Sequence, residues 1–304
     1  MDSEVETACR SAFSSAAFVL KWGERMRKTK RKSVIPGFGL TFGITMTILS
    51  VVVLIPLCSL VVFSAQLSPA EFLHTIATPR VLKSYWISIA CSFVASVVNA
   101  FMGLALAWIL VRYEFPGKRF VDGIIELPFA LPTAVAGIAL THMTTVNGWV
   151  GKLFFDFFNI RIAYTPLGIV VALVFIGIPF VVRSVQPVLE KIDVQYEEAA
   201  AILGATRRRT FWRVIFPEIL PALISGFSLA FARCIGEYGS VVFISGNIPY
   251  KTEIAPLMIM SQLQEYDYAS ATSIALVMLA IAFVILSVNA VLQSIVSKRV
   301  RGLS

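Results

Sequence analysis

The sequence predicts an all-α protein that crosses a membrane six times. Apolar residues make up 57% of the 304-residue chain and charged residues 14%, whereas a soluble domain is about a quarter charged. Mean hydropathy is +0.80. Continuous apolar runs of about eighteen residues or more recur along the chain, each able to cross about 30 Å of hydrocarbon as a helix. The runs do not alternate polar and apolar positions, so they do not read as the strands of a membrane barrel.

Six spans follow from these runs, at residues 39–65, 84–111, 121–142, 165–187, 221–245 and 270–296. Residues 39–296 then form the transmembrane domain, between a tail at 1–38 and a short tail at 297–304. The third span carries Asp122, Glu126, Pro128 and Pro132. Prolines are tolerated in membrane helices where neighbours satisfy the freed carbonyls, so a kinked, protein-facing helix is expected there. Residues 1–38 open with Asp2, Glu4 and Glu6, pass through a short apolar run and end in a basic block at Lys32. The run is too short to span, and an acidic start does not fit a secretory or transit signal. Two readings stand side by side: an amphipathic surface helix, or a chain that starts at Met26.

The net charge of +8 is explained by where the charges fall. With the N-terminus on the cytoplasmic side, twenty of the 26 Lys and Arg lie in cytoplasmic tails and loops and five in outer loops. This positive-inside bias places both termini in the cytoplasm and makes nucleic acid an unneeded partner. Cys9, Cys58, Cys91 and Cys234 form no metal-type spacing and read as small apolar filler. His74 and His142 are far apart. No metal cluster, nucleophile–base set or other catalytic group is suggested, so the chain is not expected to be an enzyme.

The polar loop at 189–220 carries the most information. Asp193 can cap a helix. Glu197 and Glu198 fall in its first turn, where carboxylates complement the dipole. Ala199, Ala200 and Ala201 are strong helix formers and present a flat surface. Gly204 suits a left-handed cap, and Thr206 can start a second helix through Arg207, Arg208, Arg209 and Arg213. Pro217 and Pro221 are expected to interrupt the chain before the fifth span. The expected element is a short helix, a Gly turn and a second helix across the cytoplasmic face. By physics alone it could equally be an ordinary capped helix with arginines facing lipid phosphates.

The spacing Glu198-Ala199-Ala200, three residues, Gly204, and then Pro217 resembles the "EAA" loop of permease subunits of ATP-binding-cassette importers. In that family the pattern ends Ile-x-Leu-Pro; here Val214 and Phe216 stand in place of Ile and Leu. Four further stretches are similar to sulfate/thiosulfate importer permeases of the T-type (or U-type): Ala107–Gly117, Glu126–Gly137, Gly236–Gly239 and Gly246–Glu253. The resemblance implies a type I importer permease fold and an inner-membrane location. It implies that Glu198, Ala199, Ala200, Gly204 and Pro217 meet an ATPase dimer, which holds the ATP and magnesium, so that this chain binds no cofactor. It also implies a second permease of the W-type and a periplasmic sulfate- or thiosulfate-binding protein as partners, in a bed of membrane lipid.

Arg233, Glu237 and Glu126 are the candidates for the substrate path. The expected fifth span puts Arg233 near the bilayer midplane, where a charge usually faces protein or water. Glu237 stands four residues on, at a spacing where the two can meet. The pair is either a structural lock or a lining of the path. Two other functions stay open at this stage: a permease for another oxyanion such as molybdate, and an ion-coupled secondary transporter.

Overall fold

The computed structural model describes the backbone of residues 38–301 and the side chains of 40–295. The expectations for the N-terminal stretch, Cys9 and Met26 included, lie outside the described residues. The chain divides into two compact units at Pro56. In the first, the described part belongs to α1 (Phe38–Ser64), whose residues from Leu40 to Pro56 are all exposed. An apolar stretch of helix with no buried side chain is one that lipid or another protein must cover.

The second unit, Leu57–Ser304, contains the rest. A short helix α2 (Pro69–Ala77) starts at Ser68, whose hydroxyl accepts from the Glu71 amide while the Glu71 carboxylate accepts from the Ser68 amide. These bonds, the backbone one foremost, hold the Glu71 carboxyl below the usual carboxylate range. Next come α3 (Pro79–Arg112), α4 (Lys118–Ala130), α5 (Thr133–Thr144), α6 (Trp149–Phe158) and α7 (Pro166–Lys191). The coupling-loop region holds α8 (Gln195–Ile202), α9 (Arg207–Thr210) and a π-helical turn at Phe211–Ile215. The chain closes with α10 (Phe216–Ile235), α11 (Val241–Ile244), α12 (Ala255–Gln264) and α13 (Tyr268–Arg301). Among the described residues, five helical stretches are long and apolar enough to cross a membrane, and α4 with α5, bent by 114°, make a sixth if counted as one span.

The centre is built by α3, α7 and α10. Val181, Val182, Val185 and Leu189 of α7 are buried against Ala107 and Leu110 of α3 and Ile219 and Ala230 of α10. Lipid tails are as apolar as these side chains, so close packing and not escape from water holds such helices together. Small residues make the closeness possible. A Cβ added to Gly103 would lie 2.7 Å from the Val181 Cβ, and one on Gly226 would lie 2.9 Å from the Val181 Cα. Val181 is thus held between two glycines on two other helices. At the other end, Arg80 of α3 makes a two-pronged pair with Glu253, Nε to Oε2 and Nη2 to Oε1 at 2.7 Å each. The Glu253 side chain is 1% exposed, so this bidentate bond is what makes its burial tolerable.

The structure corrects expectations for the third, fourth and fifth spans. The third span is not a kinked helix but two helices at a sharp angle, broken where Leu131 and Pro132 take extended backbone. Its first half faces little of this chain, since Ile125 is the one buried residue of α4, whereas α5 buries Ala136, Gly137 and Thr144 and packs Gly137 against Ser240, as expected. The fourth span runs on past 187 to Lys191. The fifth span begins at Arg207 and ends at Ile235, instead of running from 221 to 245. Pro217 and Pro221 do not interrupt it. The last candidate span, Tyr268–Ile295, agrees with the expected 270–296, and its helix continues to Arg301.

Candidate functional site

The loop between α7 and the fifth span folds as a helix, a turn and a helix. Asp193 caps the start at one remove: Val194 is the N-cap residue, and the Asp193 carboxylate accepts from the Gln195 amide at 3.0 Å. At the other end of α8, Gly204 sits at φ 78°, a conformation that costs a residue with a Cβ about 1–2 kcal/mol. The Ala205 amide bonds the Ala200 carbonyl and the Gly204 amide bonds the Ala201 carbonyl, which is the paired closure of a Schellman cap. Two residues later the Thr206 hydroxyl accepts from the Arg209 amide and starts α9.

From there the backbone stays helical into the membrane centre. The Phe216 amide bonds the Phe211 carbonyl five residues back. This widened turn lies where Pro217 lacks the donor for Arg213 and its ring would strike that carbonyl. The second helix of the loop is therefore the first part of the fifth span, and a displacement at Gly204 acts on a rod that reaches the core.

The surface that this element shows is unusual for a water-facing helix. No residue of α8 is buried. Ile202 and Leu203 are 86% and 87% exposed, side by side at its tip. Glu198, Ala199 and Gly204 are exposed, while Ala200 and Pro217 are half-buried. The sequence-derived set thus falls on one small element, except that Pro217 lies past the π turn.

The three path candidates are all paired. Arg233 Nη1 lies 2.5 Å from Glu237 Oε2. The other Glu237 oxygen accepts from the amide and hydroxyl of Ser240, at 2.9 and 3.1 Å. The expected contact is present but not on a continuous helix: α10 ends at Ile235, and Glu237 stands in the break before α11. Arg233 is therefore in the last turn of its helix, about 40 Å along it from Arg207 at 1.5 Å per residue, and not twelve residues in. A cation suits that end of the dipole. Glu126 pairs with Arg183 at 2.6 Å, and Asp122 meets the same guanidinium at 3.0 Å. The structure does not bring Glu126 to Arg233 or Glu237. It joins α4 to α7 through Arg183, a residue within the fourth span that the sequence reading did not single out.

Sequence reasoning also missed Arg112, which lies 2.7 Å from Glu197. The available signal was its place at the end of a span within one of the family-like stretches. A cleft of about 500 Å³ opens beside this pair, lined by Trp108, Arg112, Glu197, Glu198, Arg207 and Phe211.

A bundle of membrane-length helices that carries an exposed helix–turn–helix, continuous with one of its own spans, has the architecture of a polytopic membrane permease. The chain belongs to the binding-protein-dependent transport system inner membrane component family, whose profile matches residues 99–302. It is similar to the sulfate transport system permease protein CysT of Salmonella typhimurium, with 47% identity over 277 residues, 91% of this chain and 100% of that one. Its counterpart of that name in Escherichia coli is 47% identical over 271 residues, 89% of this chain and 98% of the relative. Among solved structures it resembles a chain of a bacterial ABC transporter involved in the import of the acidic polysaccharide alginate. That likeness has a TM-score of 0.69 at 16% identity, over 85% of this chain and 96% of the other, and shows a common fold.

Proposed function

We propose that this chain is the membrane-spanning subunit of an ATP-driven sulfate importer. The observation that carries the reading is 47% identity along the full length of a sulfate transport permease. The exposed α8–Gly204–α9 element supports it, because a permease with no chemistry of its own needs a surface on which an ATPase can pull. In this reading Glu198, Ala199, Ala200 and Gly204 meet the ATPase, and Pro217 sits in the rod behind them. The ATP and magnesium belong to the ATPase dimer. A related W-type permease completes the pore, a periplasmic binding protein delivers sulfate or thiosulfate, and both termini lie in the cytoplasm.

Transport follows from a two-state bundle that both ligands bias. ATP closes the ATPase dimer and draws the two coupling loops together, and the fifth span carries that motion inward. Hydrolysis releases it. Arg233 and Arg183 each have carboxylate partners, so their role is to hold helix ends and the broken third span in place. The dianion then passes without a tight cationic trap, as conduction requires.

The test is uptake of labelled sulfate in a strain deleted for its own permease and supplied with this chain and its partner subunits. The expected result is restored sulfate uptake that excess thiosulfate suppresses and molybdate does not. Uptake that molybdate suppresses, or none at all, contradicts the assignment.

A further inference from the structure

Glu197 and Glu198 are neighbours with different surroundings. Consecutive positions on a helix point in different directions, and here Glu198 is exposed while Glu197 is half-buried against α3. We propose that Arg112 is a positioning residue for coupling: through Glu197 it fixes α8 on the membrane bundle, so that Glu198, Ala199 and Gly204 are presented in one attitude. This inference rests on the coupling reading above and adds the residue that transmits the load.

The geometry is specific. Arg112 is the last residue of α3. Its Nη2 lies 2.7 Å from Glu197 Oε1 and donates to the Ile192 carbonyl at 3.5 Å, where α7 ends. Its guanidinium stands 5.6 Å from the centre of the Trp108 ring, one turn back. Trp108 in turn meets Phe211 edge to face at 5.4 Å. Two adjacent turns of α3 therefore grip both arms of the loop, the first helix through Glu197 and the second through Phe211. Among the described residues, Arg112–Glu197 is the ion pair that reaches α8 from a membrane helix.

The need for such a strut follows from the rest of α8. It buries no side chain, and the turn behind it is a single Gly, so backbone alone leaves its angle soft. The Arg112 side chain is 14% exposed, and a guanidinium so sheltered needs its counter-charge. Lys would keep the charge but lose the flat face that lies against Trp108.

The test uses the assembled importer in lipid nanodiscs, with the binding protein as the trigger. Arg112→Gln is expected to lower binding-protein-stimulated ATP hydrolysis about tenfold, within the range of coupling between distant sites, while the ATPase still copurifies. Arg112→Lys should fall between the two. The charge swap Arg112→Glu with Glu197→Arg should recover stimulation above either single variant. Stimulation in Arg112→Gln within about twofold of wild type, which is all that an incidental surface pair supports, overturns the proposal. So does a swap that recovers nothing, whether or not the ATPase remains bound. A wild-type complex that shows neither ATPase association nor stimulation overturns the coupling reading itself, and this proposal with it.

Discussion

At Val181 three helices meet so closely that a methyl group on either facing glycine would collide with it; on α8, which begins at Gln195 just after the same α7 ends at Lys191, not one side chain is buried. Both regions are rich in small residues. In the bundle, Gly103, Ala107, Gly226 and Ala230 let helices approach where no hydrophobic drive exists to push them together. In the loop, Ala199, Ala200 and Ala201 lie on a helix that touches little of its own chain. Small residues make a seam where a partner helix is already present and, in the proposed reading, a landing surface where the partner is another protein. The difference lies in the neighbours.

The largest effect on folding is expected in the seam. Gly226→Val forces two methyl groups against the backbone of Val181 and should cost about 3 kcal/mol, the upper range for overpacking. The measurement is thermal unfolding of the purified subunit in detergent, with a marked fall in Tm. An unchanged Tm would mean that α7 and α10 are not packed as described.

Gly204→Val should cost less, about 1–2 kcal/mol for a side chain in the left-handed region, with open space around the new atoms. Its effect on transport should nevertheless be complete, because the angle between α8 and α9 changes. Uptake and membrane insertion measured together separate the two. Normal uptake removes Gly204 from the coupling element.

Replacing Ile202 and Leu203 by Ser should leave stability within about 0.5 kcal/mol, as for exposed sites generally. Copurification with the ATPase should be lost. A stable variant that retains the ATPase would show that this apolar tip faces something else, such as lipid.

Much of this contrast can be read from the sequence, because it rests on local rules. The Glu–Ala–Ala run, Gly204 and Thr206 each state their own backbone preference, and the Schellman turn forms where the Gly stands. Gly204 needed no tertiary knowledge. The spans were legible to within a few residues wherever they ended in polar chain, as at Ser64 and Arg112. They were misplaced where a span runs directly into amphipathic helix. Arg207 to Pro217 looked like a separate helix of the loop because four arginines and a proline interrupt its hydropathy, yet a π turn lets the helix pass Pro217. The opposite happened at Gly236–Gly239, where apolar flanks hid a true break that Glu237 closes by accepting from Ser240. Ion pairs across the fold, Arg80–Glu253, Arg183–Glu126 and Arg112–Glu197, were not legible. Each joins residues between 57 and 173 positions apart and depends on how helices turn their faces. Arg233–Glu237 was found because four residues separate them.

The central claim is that α8, which buries no side chain and is set on the bundle by the Arg112–Glu197 pair, becomes firmly held only under a partner. Amide hydrogen exchange of the permease, alone and with its ATPase, tests this directly. In the permease alone, Gln195–Ile202 should exchange fast while the α7 amides around Val181 stay protected, since local opening follows the density of buried contacts. Adding the ATPase should slow exchange in Gln195–Ile202 by about tenfold or more and leave the Val181 region as it was. A coupling helix already as protected as Val181, or one whose exchange the ATPase does not alter, would contradict the account.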